Sequence, residues 1–234
     1  MNYLKTILIF IFCLGFCVAQ AQTHPINSKN SYVKITTNLG EMVFELSEKT
    51  PMHTANFIQL AKKGYFNTYD FNRVIKGFVV QGGETDSAYA AMEKRGIKLE
   101  RIAPEFSGGL FHQRGALAAG RDDNPTEASF LGQFYIVDGK KYTDLQLNQF
   151  EKRIGNNFHF SDAARKNYIE VGGTPSLDQH YTVFGQLVSG WEVLDRITNV
   201  GKDKSDRPFV QITMKIEVLS KKAVRQLFSA KSKN

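Results

Sequence analysis

Short stretches rich in β-branched and aromatic residues, most of them bounded by glycine, recur along this chain and limit what it can fold into. In 41–46, Met42, Phe44 and Leu46 alternate with Glu41, Val43 and Glu45, giving one apolar face and one mixed face. In 210–218, Val210, Ile212, Met214, Ile216 and Val218 alternate with Gln211, Thr213, Lys215 and Glu217, which predicts a half-buried strand. Between them lie 73–81, 116–119, 133–137 and 181–187, all short and β-rich. Many short strands at irregular spacing point to an antiparallel barrel or sandwich.

Helical signals are fewer. Thr50 followed by Pro51 predicts a helix start, with Met52, Ala55, Ile58 and Ala61 as its apolar face and Gly64 as its end. A second helix is predicted from near Ser189, carrying Trp191, Leu194 and Ile197 on one face and ending by Gly201. The stretch 138–173 differs from its surroundings. Thr143 and Ser161 read as caps of two helices, the first with Leu147, Phe150 and Ile154 in line, and Asp138-Gly139 and Gly172-Gly173 read as flanking turns. It is too short to bury a core alone, so it is expected to be an inserted helical pair rather than a domain.

With 234 residues, 42% of them apolar and 23% charged, the chain suits one large domain or at most two, and its composition excludes disorder or a fibrous repeat. The ends depart from this pattern. Residues 1–21 carry one charge, Lys5, then the apolar run from Ile7 to Val18, then Ala19-Gln20-Ala21. That order is expected of a cleaved secretory signal, and the apolar run is shorter than the ~20 residues a membrane span needs. A lipid anchor at Cys17 is disfavoured because Phe16 stands where a small residue is wanted. The expected organisation is a signal over 1–21, a linker over 22–30, a domain over 31–220 containing the 138–173 insertion, and a basic, frayed tail over 221–234. Removal of the signal takes Cys13 and Cys17 with it, leaving an exported domain without a thiol nucleophile or a cysteine-based metal site.

The net charge of +7 and the pI near 9.3 raise the question of a nucleic-acid partner. Lys221, Lys222, Arg225, Lys231 and Lys233 crowd the terminus, however, and no basic-aromatic stripe marks a binding face, so none is expected. The histidines His24, His53, His112, His159 and His180 are scattered, which argues against a metal site. Gly82-Gly83 and Gly108-Gly109 lack the Lys-Ser/Thr of a phosphate loop, and Ser129 and Ser176 lack a nucleophile elbow.

Two segments remain that can carry chemistry. In an extended strand Phe71, Arg73 and Ile75 share a face, so the Arg73 guanidinium either snorkels at an edge or stands over a site. Gln133 and Tyr135 likewise share a face, an amide and a phenol beside apolar surface suited to an extended peptide.

In order along the chain come Phe71-x-Arg73-x-Ile75-x-Gly77-Phe78-x-x-Gln81-Gly82-Gly83, then Gly132-Gln133-Phe134-Tyr135-Ile136, then Leu177-Asp178-x-x-Tyr181-Thr182-Val183-Phe184-Gly185. This series, with the helix around Thr54-Ala55-Asn56-Phe57, resembles the cyclophilins, a family of peptidyl-prolyl cis/trans isomerases, over roughly residues 31–220. The resemblance implies a mainly β fold: a closed eight-stranded antiparallel barrel capped by two helices, with its groove on the outer face. It implies Arg73 as the catalytic residue and Phe78 and Val79 in the proline pocket. Gln81 and Gln133 would orient substrate and arginine, Gly120 and Arg121 would lie along the substrate backbone, and Tyr135, Leu177 and Tyr181 would complete the wall. The implied partners are proline-containing polypeptides, the implied cofactor is none, and a monomer is expected. Ser176 stands where many eukaryotic members carry a cyclosporin-binding tryptophan. Tyr181 replaces a histidine, Val79 a methionine and Tyr135 a phenylalanine, so sequence preference and drug affinity are expected to differ. The alternative is a non-catalytic chaperone or assembly factor that holds proline segments. Arg73 discriminates between the two, since a binder has no need of it.

Overall fold

The computed structural model describes residues 30–106 and 109–231, so the expected signal segment, both cysteines and nearly all of the expected linker lie outside them. Among the described residues ten strands form: β1 (Ser31–Thr37), β2 (Gly40–Leu46), β3 (Phe71–Ile75), β4 (Val79–Gly83), β5 (Arg101–Ile102), β6 (Ala116–Ala119), β7 (Ser129–Phe130), β8 (Gln133–Val137), β9 (Val183–Ser189) and β10 (Lys215–Val218). The helices are α1 (Pro51–Lys62), α2 (Asp86–Lys94), α3 (Asp144–Ile154), α4 (Asp162–Glu170), α5 (Trp191–Thr198) and α6 (Lys221–Lys231).

Eight strands pair antiparallel in the order β10-β1-β2-β9-β6-β8-β4-β3, while β5 and β7 form a separate pair. The expectation of a closed barrel is corrected: the sheet curls into a half-barrel whose end strands, β3 and β10, share no ladder. An isolated bridge between Asp70 and Thr213 and one bond from the Phe71 N–H to the Ile212 carbonyl (3.0 Å) span that seam. Alongside it, Val74 donates its N–H to the Asp206 carbonyl (2.8 Å) and accepts from Lys202 Nζ (2.7 Å).

Alternation sets the inner face. Met42, Phe44 and Leu46 are fully buried with Val33, Ile35, Val80, Leu117 and Ile136. Helix α1 closes one end through Phe57, whose ring lies 5.0 Å from Phe66, 5.3 Å from Phe134 and 5.2 Å from Phe184. Helix α5 adds Val193, Leu194 and Ile197 to the same core.

Several expectations need correction. The buried face of α1 is His53, Phe57 and Ala61, one residue on from Met52, which is 48% exposed. Glu105 is the reason: its carboxylate accepts the Met52 and His53 N–H groups and His53 Nδ1–H, drawing the His53 side of the helix inward. The 210–218 strand shortens to β10. Ile212, Met214 and Ile216 are buried in alternation, but Val210 is exposed. The last residue of β10 to find a partner upstream is Lys215, opposite Thr36, because β1 then turns into β2.

The terminus is not a frayed tail through 221–231. Helix α6 turns Val224, Leu227 and Phe228 onto Tyr32, Val43 and Val188, so the outward-facing Val43 of β2 is covered. Positions 224, 227 and 228 lie one helical turn apart, which gives α6 an apolar stripe beneath its charges.

Helices α3 and α4 form as expected. Thr143 and Gln146 make a reciprocal capping box, and the Ser161 hydroxyl accepts from the Ala164 N–H. Leu147, Phe160, Ala164 and Tyr168 form a small core between them, against which Phe111 packs.

Candidate active site

Strands β3 and β4 are joined at Gly77, whose left-handed φ of +76° lets the chain reverse and whose N–H donates to Asp138 Oδ2 (2.7 Å). The ladder registers then align Arg73 with Gln81, Gln81 with Tyr135, and Tyr135 with Ala118 across four strands. Facing partners in antiparallel strands share a face, so this row lies on the outside of the half-barrel. The expectation that Phe71 and Arg73 share a face is wrong. The register shifts between them at Asn72, so Phe71 points into the core while Arg73 points out.

Beside the row, Val79, Ala116, Ala118, Tyr135, Val137 and Val183 form an outer apolar patch, extended by Phe78, Leu110, Leu177 and Tyr181. A groove of ≈ 230 Å³ opens over it. Its walls are Arg73, Phe78, Val79, Gln81, Gly120, Arg121, Gln133, Tyr135, Leu177 and Tyr181, together with Asp86. The residues named from sequence are thus brought together in one place.

Their side chains are prepared differently. Those of Arg73 and Gln81 make no hydrogen bond or ion pair with another described residue, leaving the guanidinium and a neighbouring amide free to meet a ligand. Arg121, by contrast, is spent internally. Its Nε–H donates to the His180 carbonyl (2.7 Å), Nη1 to the Asp122 carbonyl (2.8 Å) and Nη2 to Glu127 (3.3 Å), while its plane covers the Tyr181 ring at 4.5 Å. Arg121 therefore fixes the Tyr181 wall and has few donors left to offer.

Gln133 is held by two acceptors. Its Nε2 donates to the Glu84 carbonyl (3.0 Å) and to Asp86 Oδ1 (2.7 Å), which directs Oε1 toward Gly120. A Cβ at Gly120 would lie 2.1 Å from that oxygen, so only glycine permits the amide its place.

Tyr135 is buried with its hydroxyl 2.9 Å from His112 Nε2, and burial pushes its phenol well above the ordinary value. No sequence motif marks Asp86 or His112 as part of the site. Asp86 opens α2, whose capping Thr85 stands two residues after the end of β4, and that cap was the available signal. Among the described residues no group of three or more His, Cys, Asp or Glu side chains is placed to hold a metal ion. None of the described helices is long and apolar enough to cross a membrane.

An apolar pocket of this size beside one unpaired cation suits a small ring with a polar atom at its edge, and the open groove on either side suits extended chain. Residues 32–218 match the family model described as cyclophilin type peptidyl-prolyl cis-trans isomerase/CLD. A Staphylococcus saprophyticus protein carrying the name peptidyl-prolyl cis-trans isomerase is 36% identical over 190 residues, covering 81% of this chain and 91% of that protein. A solved cyclophilin type peptidyl-prolyl cis-trans isomerase of Cryptosporidium parvum superposes with a TM-score of 0.57 at 25% identity, covering 82% of this chain and 98% of its own. The same protein solved in the presence of the dipeptide Ala-Pro gives 0.56 at 26% identity, covering 81% and 99%.

Proposed function

The chain belongs to the cyclophilin-type peptidyl-prolyl cis-trans isomerases, and we propose that it turns X–Pro bonds in the β3–β4–β8–β6 groove with Arg73 as its catalytic residue. Rotation about an amide faces a barrier of ~18–20 kcal/mol from C–N double-bond character. For X–Pro both isomers are accessible, yet they exchange over tens to hundreds of seconds. No bond is broken, so the reaction asks for a grip on one side of the C–N axis and for stabilisation of the twisted state.

The apolar patch of Phe78, Val79, Tyr135 and Leu177 supplies the grip on the proline ring. At the twisted geometry the proline nitrogen becomes pyramidal and regains a lone pair. Arg73 donates to that lone pair, a contact the planar ground state cannot accept, and such differential binding lowers the barrier. The free guanidinium aligned with Gln81 and Tyr135 in one cross-strand row is the observation that carries this reading. Arginine suits the role because it stays charged and presents a rigid fork. Gln133, with Oε1 directed at Gly120, orients the substrate backbone that runs past Gly120.

Taking residues 1–21 as an export signal, the clients are exported proteins whose folding waits on proline, and the enzyme acts on them as a monomer. Recovery of the protein from the cell envelope or medium with its N-terminus beyond Ala21 is the expected outcome of N-terminal sequencing.

Proline-limited refolding and a short X–Pro peptide assay test the mechanism. Arg73→Ala is expected to lose about 10²- to 10³-fold in kcat/KM, the scale for removing one preorganised transition-state donor. Equal rates for Arg73→Ala and wild type refute the assignment and leave a proline-binding chaperone.

A further inference from the structure

We infer that the α3–α4 helical pair positions the wall of the groove through a buried hydrogen-bonded chain running Tyr168–Asp178–His112–Tyr135, with Tyr168 as the positioning residue. The inference rests on the groove being the site of X–Pro turnover.

The chain is continuous. Tyr168, in α4 and fully buried, donates its O–H to Asp178 Oδ2 at 2.5 Å. Asp178 Oδ1 accepts both the backbone N–H of His112 (2.9 Å) and its Nδ1–H (2.6 Å). His112 Nε2 then meets the Tyr135 hydroxyl at 2.9 Å. Burial, reinforced at Tyr168 by the Asp178 carboxylate, holds both phenols well above their ordinary range, so each remains a donor. With Tyr135 donating to Nε2 and Nδ1–H donating to Asp178, each proton in the chain has one acceptor. Every member is shielded from water, where a polar group left without its partner is costly.

Two members of this chain, Asp178 and Tyr135, bear on the groove. Asp178 directly follows Leu177 and precedes Tyr181 by three residues, so clamping its carboxylate fixes the segment that supplies two wall side chains. Tyr135 is a third. A polar chain that only held the core together would have no reason to end on a side chain lining the groove.

The clamp is also tightly packed. Gly173 sits between the His112 carbonyl and the Tyr168 ring, where a Cβ would come within 2.2 Å of the oxygen and 2.6 Å of the ring. Thr174 donates its N–H to that same His112 carbonyl (2.8 Å). Movement of α4 is therefore transmitted to the His112 and Leu177 segments rather than absorbed between them. The helical pair is a support for the site, set behind its wall.

Tyr168→Phe removes the donor and keeps the ring. For a short X–Pro peptide it is expected to raise KM about three- to tenfold with kcat nearly unchanged, the pattern of lost uniform binding. In a Tyr135→Phe background, where the chain reaches the groove only through the Leu177–Tyr181 segment, the same substitution is expected to raise KM by a smaller factor than it does alone. A wild-type KM in Tyr168→Phe, or an equal effect in both backgrounds, overturns the inference, whatever happens to the melting temperature.

Hydrogen exchange on the wild-type protein provides the second measurement should Tyr168→Phe fail to fold. By reciprocity of coupling, a saturating Ala-Pro peptide is expected to slow exchange in 162–170 as well as in 133–137 and 177–181. Protection of the groove segments without 162–170 overturns the positioning role alone. No protection anywhere, or full activity in Arg73→Ala, overturns the groove reading and the inference with it.

Discussion

Glu105 holds the start of α1 to the body of the domain across 52 residues of sequence, and replacing it by alanine should cost much of the stability of the fold. Thr50, the cap residue by position, makes no capping bond with its side chain. The Glu105 carboxylate does that work instead, accepting from the Met52 N–H (3.1 Å), the His53 N–H (3.0 Å) and His53 Nδ1–H (2.6 Å). The Met52 bond lies at an exposed helix start, where water replaces it at little cost. The two His53 bonds are sheltered, and hydrogen bonds to a charged group contribute ~1.5–3 kcal/mol each. Glu105→Ala is therefore expected to destabilise by about 3–5 kcal/mol and to lower Tm by roughly 10 °C for a domain of this size.

The pH dependence has a definite sign. Burial raises the Glu105 carboxyl, but its bonds from His53 and Met52 outweigh that and hold it below its ordinary range. Burial lowers His53 more than Glu105 raises it. Both groups thus bind more protons when the chain unfolds. The His53 contribution is complete above its ordinary value of 6.5 and is lost as pH falls through its lower folded value. The Glu105 contribution is complete above 4.5 and is lost further into acid. Urea titrations at neutral and acid pH measure both effects. A neutral-pH loss below about 1 kcal/mol, the scale of an ordinary cap, or a wild type that gains stability between pH 7 and 5, would falsify the reasoning.

Two further substitutions separate the site from its scaffold. Gly120→Ala places a methyl group 2.1 Å from Gln133 Oε1, so the amide must leave its position. Turnover should fall about tenfold or more with the circular dichroism unchanged, and wild-type kcat/KM would remove Gln133 from the mechanism. Val224→Asp puts a charge against Tyr32, Val43 and Val188. It should release α6 to trypsin at Lys221, Lys222 and Arg225 while isomerase activity persists, and a protease pattern like that of wild type would contradict the packing of that helix.

What could be read from sequence depended on how local the cause was. Strands β6 and β8 and the caps at Thr143 and Ser161 were legible, because alternation and capping chemistry act within a few residues. The groove residues were legible through motif order, which carries the outcome of folding without its geometry. The bulge at Asn72 was not, since strict alternation assumes an unbroken ladder and nothing in Phe71-Asn72-Arg73 announces a register shift. Glu105 and His53 are too far apart in sequence for spacing to link them. The C-terminal helix was readable in principle, from Val224, Leu227 and Phe228, but its lysines and arginine dominate the composition there.

The open seam has a consequence for a peptidyl-prolyl isomerase. Arg73 lies on β3, an end strand of the sheet, and a bare strand edge is a template on which another extended chain can add. An isomerase with such an edge beside its groove would pair a bound peptide onto its own sheet. Here Asp206 takes the Val74 N–H and Lys202 takes the Val74 carbonyl, so the 202–206 turn blocks the margin next to Arg73. The lysine adds a charge that an incoming strand would have to bury. On the proposed reading, a chain can engage the groove through its proline without being held as an additional strand.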